Sequence, residues 1–128
     1  MPVAITNDIR ITVETAYQNN AQNSFDGQHL FAYRIRIENH SGSPVRLLRR
    51  HWFISDIQYG NYEVEGEGVV GLQPLIEPGH EHVYVSACSL KSEFGLMHGI
   101  YVMERKPDGL LFEVIIPEFR MIVPYRLN

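Results

Sequence analysis

The chain has 128 residues, of which 45% are hydrophobic and 20% charged, a balance that fits a folded globular protein and excludes a disordered one. Its formal net charge of −4 gives no general electrostatic pull toward nucleic acid or an anionic membrane. With Cys88 as the single cysteine, no internal disulfide can form, and a reducing compartment is the natural home.

That length is enough to bury about two thirds of the unfolded surface in one core, so residues 1–128 are expected to form a single domain. The opening Met1-Pro2-Val3-Ala4-Ile5-Thr6-Asn7-Asp8 has no basic stretch leading into an apolar run, and no window approaches a membrane span. A cytoplasmic protein without a membrane span is expected.

In chain order, Ile9, Ile11 and Val13 alternate with Arg10, Thr12 and Glu14, the period of a half-buried strand running from Ile9 to Tyr17. Asn19 to Gln28 is polar, turn-rich and without period, and reads as a loop. Phe31, Tyr33, Ile35 and Ile37 alternate with Ala32, Arg34, Arg36 and Glu38, the cleanest strand signal, which ends at Asn39-His40-Ser41-Gly42-Ser43-Pro44. Short β-rich runs follow at Val45–Asp56, Tyr62–Glu67, Glu81–Ala87, Met97–Arg105 and Leu110–Ile116, separated by Gly, Pro, Asp or Asn clusters. Both faces of Met97-His98-Gly99-Ile100-Tyr101-Val102-Met103 are largely apolar, as in a central strand. Lys106-Pro107-Asp108-Gly109 reads as the turn of an antiparallel hairpin into the next strand. About seven to eight strands with no helical period predict an all-β fold, an antiparallel immunoglobulin or fibronectin type III-like β-sandwich, with a small barrel as the alternative.

Gly66-Glu67-Gly68-Val69-Val70-Gly71 has the G-x-G-x-x-G spacing of a dinucleotide-binding turn. That turn works by opening a helix whose free N–H groups hold the pyrophosphate, and Pro74 with Pro78-Gly79 stops any helix begun at Gly71. Phosphate contact at Gly66, Gly68 and Gly71 then depends on a backbone nest without a helix. On a strand, Glu63, Glu65 and Glu67 share one face and oppose an anion, so a structural turn is the preferred reading. Those carboxylates are also a candidate Mg²⁺ site, and His80 with His82, spaced to share a strand face, are candidate zinc or cobalt ligands. Cys88 with His82 or His98 is a candidate nucleophile and base, although a lone thiol among apolar neighbours is more often a packed core residue. Arg46, Arg49 and Arg50 beside His51 and Trp52 form the one basic-aromatic cluster. Alternation places Arg46, Leu48, Arg50, Trp52 and Ile54 on one face and Arg49, His51 and Phe53 on the other, unless a bulge intervenes, and Asp56 or a nearby Glu is the expected partner of Arg50. Tyr33, Tyr84 and Tyr101 read as half-buried packing residues.

Several ordered motifs resemble one family. They are Phe31-Ala32-Tyr33-Arg34-Ile35-Arg36-Ile37-Glu38-Asn39, Arg50-His51-Trp52-Phe53-Ile54-Ser55-Asp56, Val64 through Pro74, Pro78-Gly79, Gly95-x-Met97-x-Gly99-x-Tyr101-x-Met103 and Ile116-Pro117-x-Phe119. Together they resemble the ApaG proteins, with Ala87-Cys88 standing where that family usually has Ser-Gly. The resemblance implies a fibronectin-III-like sandwich and an association with cobalt resistance and magnesium efflux, and it brings no catalytic residues.

The expectation is a non-enzymatic binding module with no cofactor, acting on a protein partner through a sheet face or edge. The alternatives are nucleotide or pyrophosphate binding at Gly66–Gly71, helped by Arg49 or Arg50, and divalent-cation sensing by Glu63, Glu65 and Glu67 or by His80 and His82.

Overall fold

A computed structural model describes residues 1–18 and 27–126. The expected loop from Asn19 to Gln28 therefore lies outside the described residues except for its last two positions. Among the described residues there are nine strands: β1 Val3–Thr6, β2 Ile9–Gln18, β3 His29–Asn39, β4 Val45–Asp56, β5 Gly60–Glu67, β6 Leu75–Ile76, β7 Glu81–Leu90, β8 Phe94–Arg105 and β9 Leu111–Ile122, with a 3₁₀ turn at Pro124–Arg126. They form two antiparallel sheets, β1-β2-β3-β7 and β5-β4-β8-β9, with β6 paired to the start of β4. The all-β sandwich expected from the alternation is the fold observed. The two strands that the periodicity missed, β1 and β6, have four and two residues, too short to show a period.

The alternating apolar residues meet between the sheets. Ile9, Ile11 and Val13 of β2 and Phe31, Tyr33, Ile35 and Ile37 of β3 face Leu47, Trp52 and Ile54 of β4, Met97, Tyr101 and Met103 of β8, and Val114 and Ile116 of β9, all in one buried core. Trp52 sits among aromatic neighbours, with ring centroids 5.5 Å from Tyr33, 5.9 Å from Phe119 and 6.5 Å from Tyr101, separations at which edge-on aromatic contacts add to area burial. Tyr33, Tyr84 and Tyr101 are buried rather than half-buried.

Two bulges correct the simple alternation. The β4–β8 register shifts between Leu47 and Arg49, so Val45 and Leu47 point inward before the bulge and Trp52 and Ile54 after it. Arg46 is thereby set on the opposite face from Arg50, contrary to unbroken alternation. In β9, Met97 faces Phe119 while Gly99 faces Ile116, so Pro117 and Glu118 together oppose His98. The strand continues through Pro117, where the sequence pattern expects it to end. β9 is terminal in its sheet, and at a bulge on such a strand the missing proline N–H costs no ladder bond.

The two long sides of the sandwich differ. On one, β1 and β2 pack against β9, and the N–H of Ile115 donates to Thr6 Oγ1 at 3.2 Å. On the other, β5 and β7 end their sheets, and Tyr62 bridges the gap with its hydroxyl 3.7 Å from Cys88 Sγ.

Candidate functional site

β5 begins at a tight corner, where the N–H of Tyr59 donates to Asp56 O at 2.8 Å. The buried Asp56 carboxylate accepts the N–H groups of Lys91 and Ser92 at 2.8 and 2.9 Å, which ties the β4–β5 corner to the β7–β8 connection. From there β5 runs along β4 in register, with Glu63 opposite Phe53, Glu65 opposite His51 and Glu67 opposite Arg49. Among the described residues its far edge carries no strand, and Gly66 is the one residue of β5 that is not exposed.

The two faces of β5 differ chemically. Glu63, Glu65 and Glu67 share the outer face, as period two requires. His51 lies between the first two, with Nε2 at 2.6 Å from Glu63 and Nδ1 at 3.2 Å from Glu65. Behind them the rings of His51, Phe53 and His98 stack at centroid separations of 4.3 and 5.1 Å. The inner face carries Tyr62 and Val64, which remain 42% and 38% exposed, with the Tyr62 hydroxyl against Cys88 of the opposing sheet.

The glycines shape the connection from β5 to β6. Past Glu67 the chain leaves the lane beside β4, makes a two-residue hairpin and returns at Pro74. Val69 and Leu72 exchange hydrogen bonds of 2.8 and 3.0 Å, and Val70 and Gly71 between them both have positive φ, 47° and 77°, the backbone of a type I′ turn. A Cβ on Gly68 would lie 2.1 Å from Leu72 O, so that position needs glycine on contact grounds as well as for its φ of 63°. Where the hairpin departs, the carbonyl of bulged Leu48 accepts the N–H of Gly68 at 2.8 Å and Gln73 Nε2 at 3.0 Å. The excursion and the β4 bulge therefore sit side by side. The N–H of Gly68 is committed to Leu48, and Arg50 Nη1 donates to the carbonyls of Glu67 and Gly68 at 3.0 Å each. The segment thus turns carbonyls toward a cation. Arg50 takes these carbonyls as partners, and Asp56, the expected one, is held by backbone N–H groups instead.

The remaining candidate residues are dispersed. His80 precedes β7 and is exposed, in a turn where its N–H donates to Glu77 O at 3.0 Å and Gly79 follows Pro78 at φ 79°, the arrangement of a type II turn. His82 enters the strand, and its Nε2 is buried without a hydrogen-bond partner. Loss of water lowers the His82 pKa from its ordinary value. Among the described residues, no group of three or more His, Cys, Asp or Glu is placed to hold a metal ion. Cys88 has the Tyr62 hydroxyl as its neighbour, where a nucleophile would need a histidine base, and burial pushes its thiol pKa up, the opposite of an activated nucleophile. Tyr84 and Tyr101 share a hydrogen bond between their hydroxyls, and burial raises both phenols above their ordinary value.

The sequence pattern brings Glu63, Glu65 and Glu67 onto one face, as observed, but it missed His51 between them, because a cross-strand pair depends on register. It also missed the buried polar pair Asn39 and Asp56. The Asn39 side chain donates to Ser43 O and Ile76 O at 2.9 Å each. The cluster His40-Ser41-Gly42-Ser43 after it marks a turn without revealing that the asparagine plugs it.

Among the described residues no helix is long and apolar enough to cross a membrane. The family profile described as the ApaG domain matches residues 19–105. The chain is 41% identical over 128 residues to the protein ApaG of Anaeromyxobacter dehalogenans strain 2CP-C, covering 100% of each. It is 43% identical over 121 residues to that of Rhizobium meliloti strain 1021, covering 94% of this chain and 92% of the relative. A crystal structure of a Bordetella pertussis protein named ApaA superposes with a TM-score of 0.85 at 36% identity, over 96% of each chain. The X-ray structure of a structural genomics target does so at 0.87 and 37%, over 98% of this chain and 94% of its own. By profile, full-length identity and shared fold, the chain belongs to the ApaG family.

Proposed function

We propose that this protein is a non-enzymatic binding module that holds a protein partner along the open edge of β5. Its connection with cobalt resistance and magnesium efflux, which the family resemblance implies, then runs through that partner. The observation that carries the reading is an eight-residue strand at the end of a sheet with seven of its residues exposed. Exposed edges of this kind are normally shortened, covered or bent away, because unpaired N–H and C=O groups recruit another strand. Strand addition is a standard mode of peptide recognition, in which main-chain bonds give affinity and alternate side chains give selectivity.

The ladder identifies which groups are free. The N–H of Gly68 donates to Leu48 O, and the two-residue alternation of an antiparallel pair then turns the backbone groups of Asn61, Glu63 and Glu65 away from β4. Proline at Glu65 removes one outward N–H without taking a bond from the β4–β5 ladder. The test is recovery of the native partner by photo-crosslinking from position 62 or 64, followed by affinity measurement with the Glu65→Pro variant. Loss of binding with the fold retained is expected, and equal affinity overturns the reading. Titration with ATP, inorganic pyrophosphate, Mg²⁺ and Co²⁺ under amide detection separates the alternatives, since localised shifts at Gly66–Gly71 on pyrophosphate favour a nucleotide site instead.

A further inference from the structure

We infer that the segment received by β5 is an extended strand carrying lysine or arginine at every second position, with apolar residues between. This deepens the reading of β5 as the docking edge and rests on it. The residues whose backbone faces outward are Asn61, Glu63 and Glu65, so the outward hydrogen-bonding sites at Glu63 and Glu65 also present a carboxylate on the outer face. The side chains of Glu63 and Glu65 remain 59% and 60% exposed even with His51 between them.

The nearby arginines both belong to β4. Arg49 stands one strand inward, opposite Glu67, and the guanidinium of Arg50 is turned to the carbonyls of Glu67 and Gly68. An incoming strand therefore meets carboxylates first. On the other face, Tyr62 and Val64 keep part of their apolar surface exposed, and an added strand would set its intervening side chains beside them.

The same carboxylates select against other occupants. Two copies of this chain joined β5 to β5 would place glutamates directly across from glutamates, and like charges facing across strands are destabilising. An acidic or neutral strand would gain main-chain bonds but no compensation for the row of negative charge. Electrostatic complementarity of this kind sets partner choice and association rate more than raw affinity.

The test uses three end-blocked synthetic peptides of equal length: alternating lysine–valine, alternating glutamate–valine, and one with the lysines and valines in separate blocks. Amide shifts and hydrogen exchange are followed in the intact protein. The lysine–valine peptide is expected to shift Gly60–Glu67 and slow exchange at Glu63 and Glu65, to bind at least about tenfold more tightly than either control, and to weaken with added salt. The triple variant E63Q/E65Q/E67Q, altered only at exposed positions, is expected to lose about tenfold in affinity for it while keeping its melting temperature.

No shift with the lysine–valine peptide at millimolar concentration overturns the inference. Equal binding of the glutamate–valine peptide at β5, or an unchanged affinity in the triple variant, also overturns it, and in those cases edge capture stands. If Glu65→Pro leaves native partner binding intact, the docking edge itself is wrong and the inference falls with it.

Discussion

The guanidinium of Arg50 occupies the space that a side chain at Gly66 would need. A Cβ at Gly66 would lie 2.8 Å from both Nη1 and Nη2, while Nη1 donates to the carbonyls of Glu67 and Gly68. The glycine and the arginine are therefore one structural unit, with the cation closing the end of β5 before the hairpin departs.

Gly66→Ala should push the guanidinium off both carbonyls and cost about 1–3 kcal/mol, the range for overpacking and a lost charge-assisted contact. In the Arg50→Ala background the three closest contacts of the added methyl are gone, and its cost should fall below about 0.5 kcal/mol. A double-mutant cycle by urea denaturation measures this, and additive costs would show that the two residues are independent.

Val70 carries a β-branched side chain at φ 47° while 62% exposed, a conformation that costs an L-residue roughly 1–2 kcal/mol. Asparagine tolerates the left-handed region, and a type I′ turn favours it at this position. Val70→Asn is expected to raise stability by about 0.5–1 kcal/mol, read as a higher urea midpoint with unchanged slope. A lower midpoint would mean that the valine makes a stabilising contact that outweighs its strain.

Burial raises the phenol pKa values of Tyr84 and Tyr101 above the ordinary 10.0. An acid whose folded pKa is raised gives stability that is whole below the unfolded value and is lost as pH climbs past it toward the folded one. Stability should therefore fall as pH rises above 10.0, with these phenolates appearing together with unfolding in ultraviolet absorbance. Tyr101→Phe leaves the Tyr84 hydroxyl without its partner and should cost about 1–3 kcal/mol at neutral pH.

The other pH limb belongs in part to His82. Its Nε2 is buried and unpartnered, and loss of water lowers its pKa below the ordinary 6.5. Its contribution is present above 6.5 and is lost as pH falls through the lowered value. Between about pH 7.5 and about pH 5, wild type should lose more stability than His82→Phe, which has nothing to protonate. Parallel losses in the two proteins would assign the acid limb to other groups.

Much of the fold was legible because alternation survives wherever a strand is half buried: β2 and β3 read directly from Ile9-x-Ile11-x-Val13 and Phe31-x-Tyr33-x-Ile35-x-Ile37. The alternation failed at Leu48 and at Pro117-Glu118, where an extra residue inverts the phase and a strand read from its two ends points to opposite faces. The candidate edge was half legible. Period two gives the shared face of Glu63, Glu65 and Glu67, but only strand order shows that, among the described residues, no strand pairs beyond them. Pro74 and Pro78-Gly79 made a structural turn the preferred reading of the glycine spacing, and the positive φ at Gly68 and Gly71 serves a hairpin and clearance from Leu72 O.

The unequal long sides of the sandwich give the molecule a spine and a fore-edge. Along the spine, β1 and β2 lie against β9, and the bond from Ile115 to Thr6 stitches the two sheets. At the fore-edge, Tyr62 and Cys88 clasp β5 to β7. Local opening should therefore start at the fore-edge and spread toward the spine, where the two sheets stay joined.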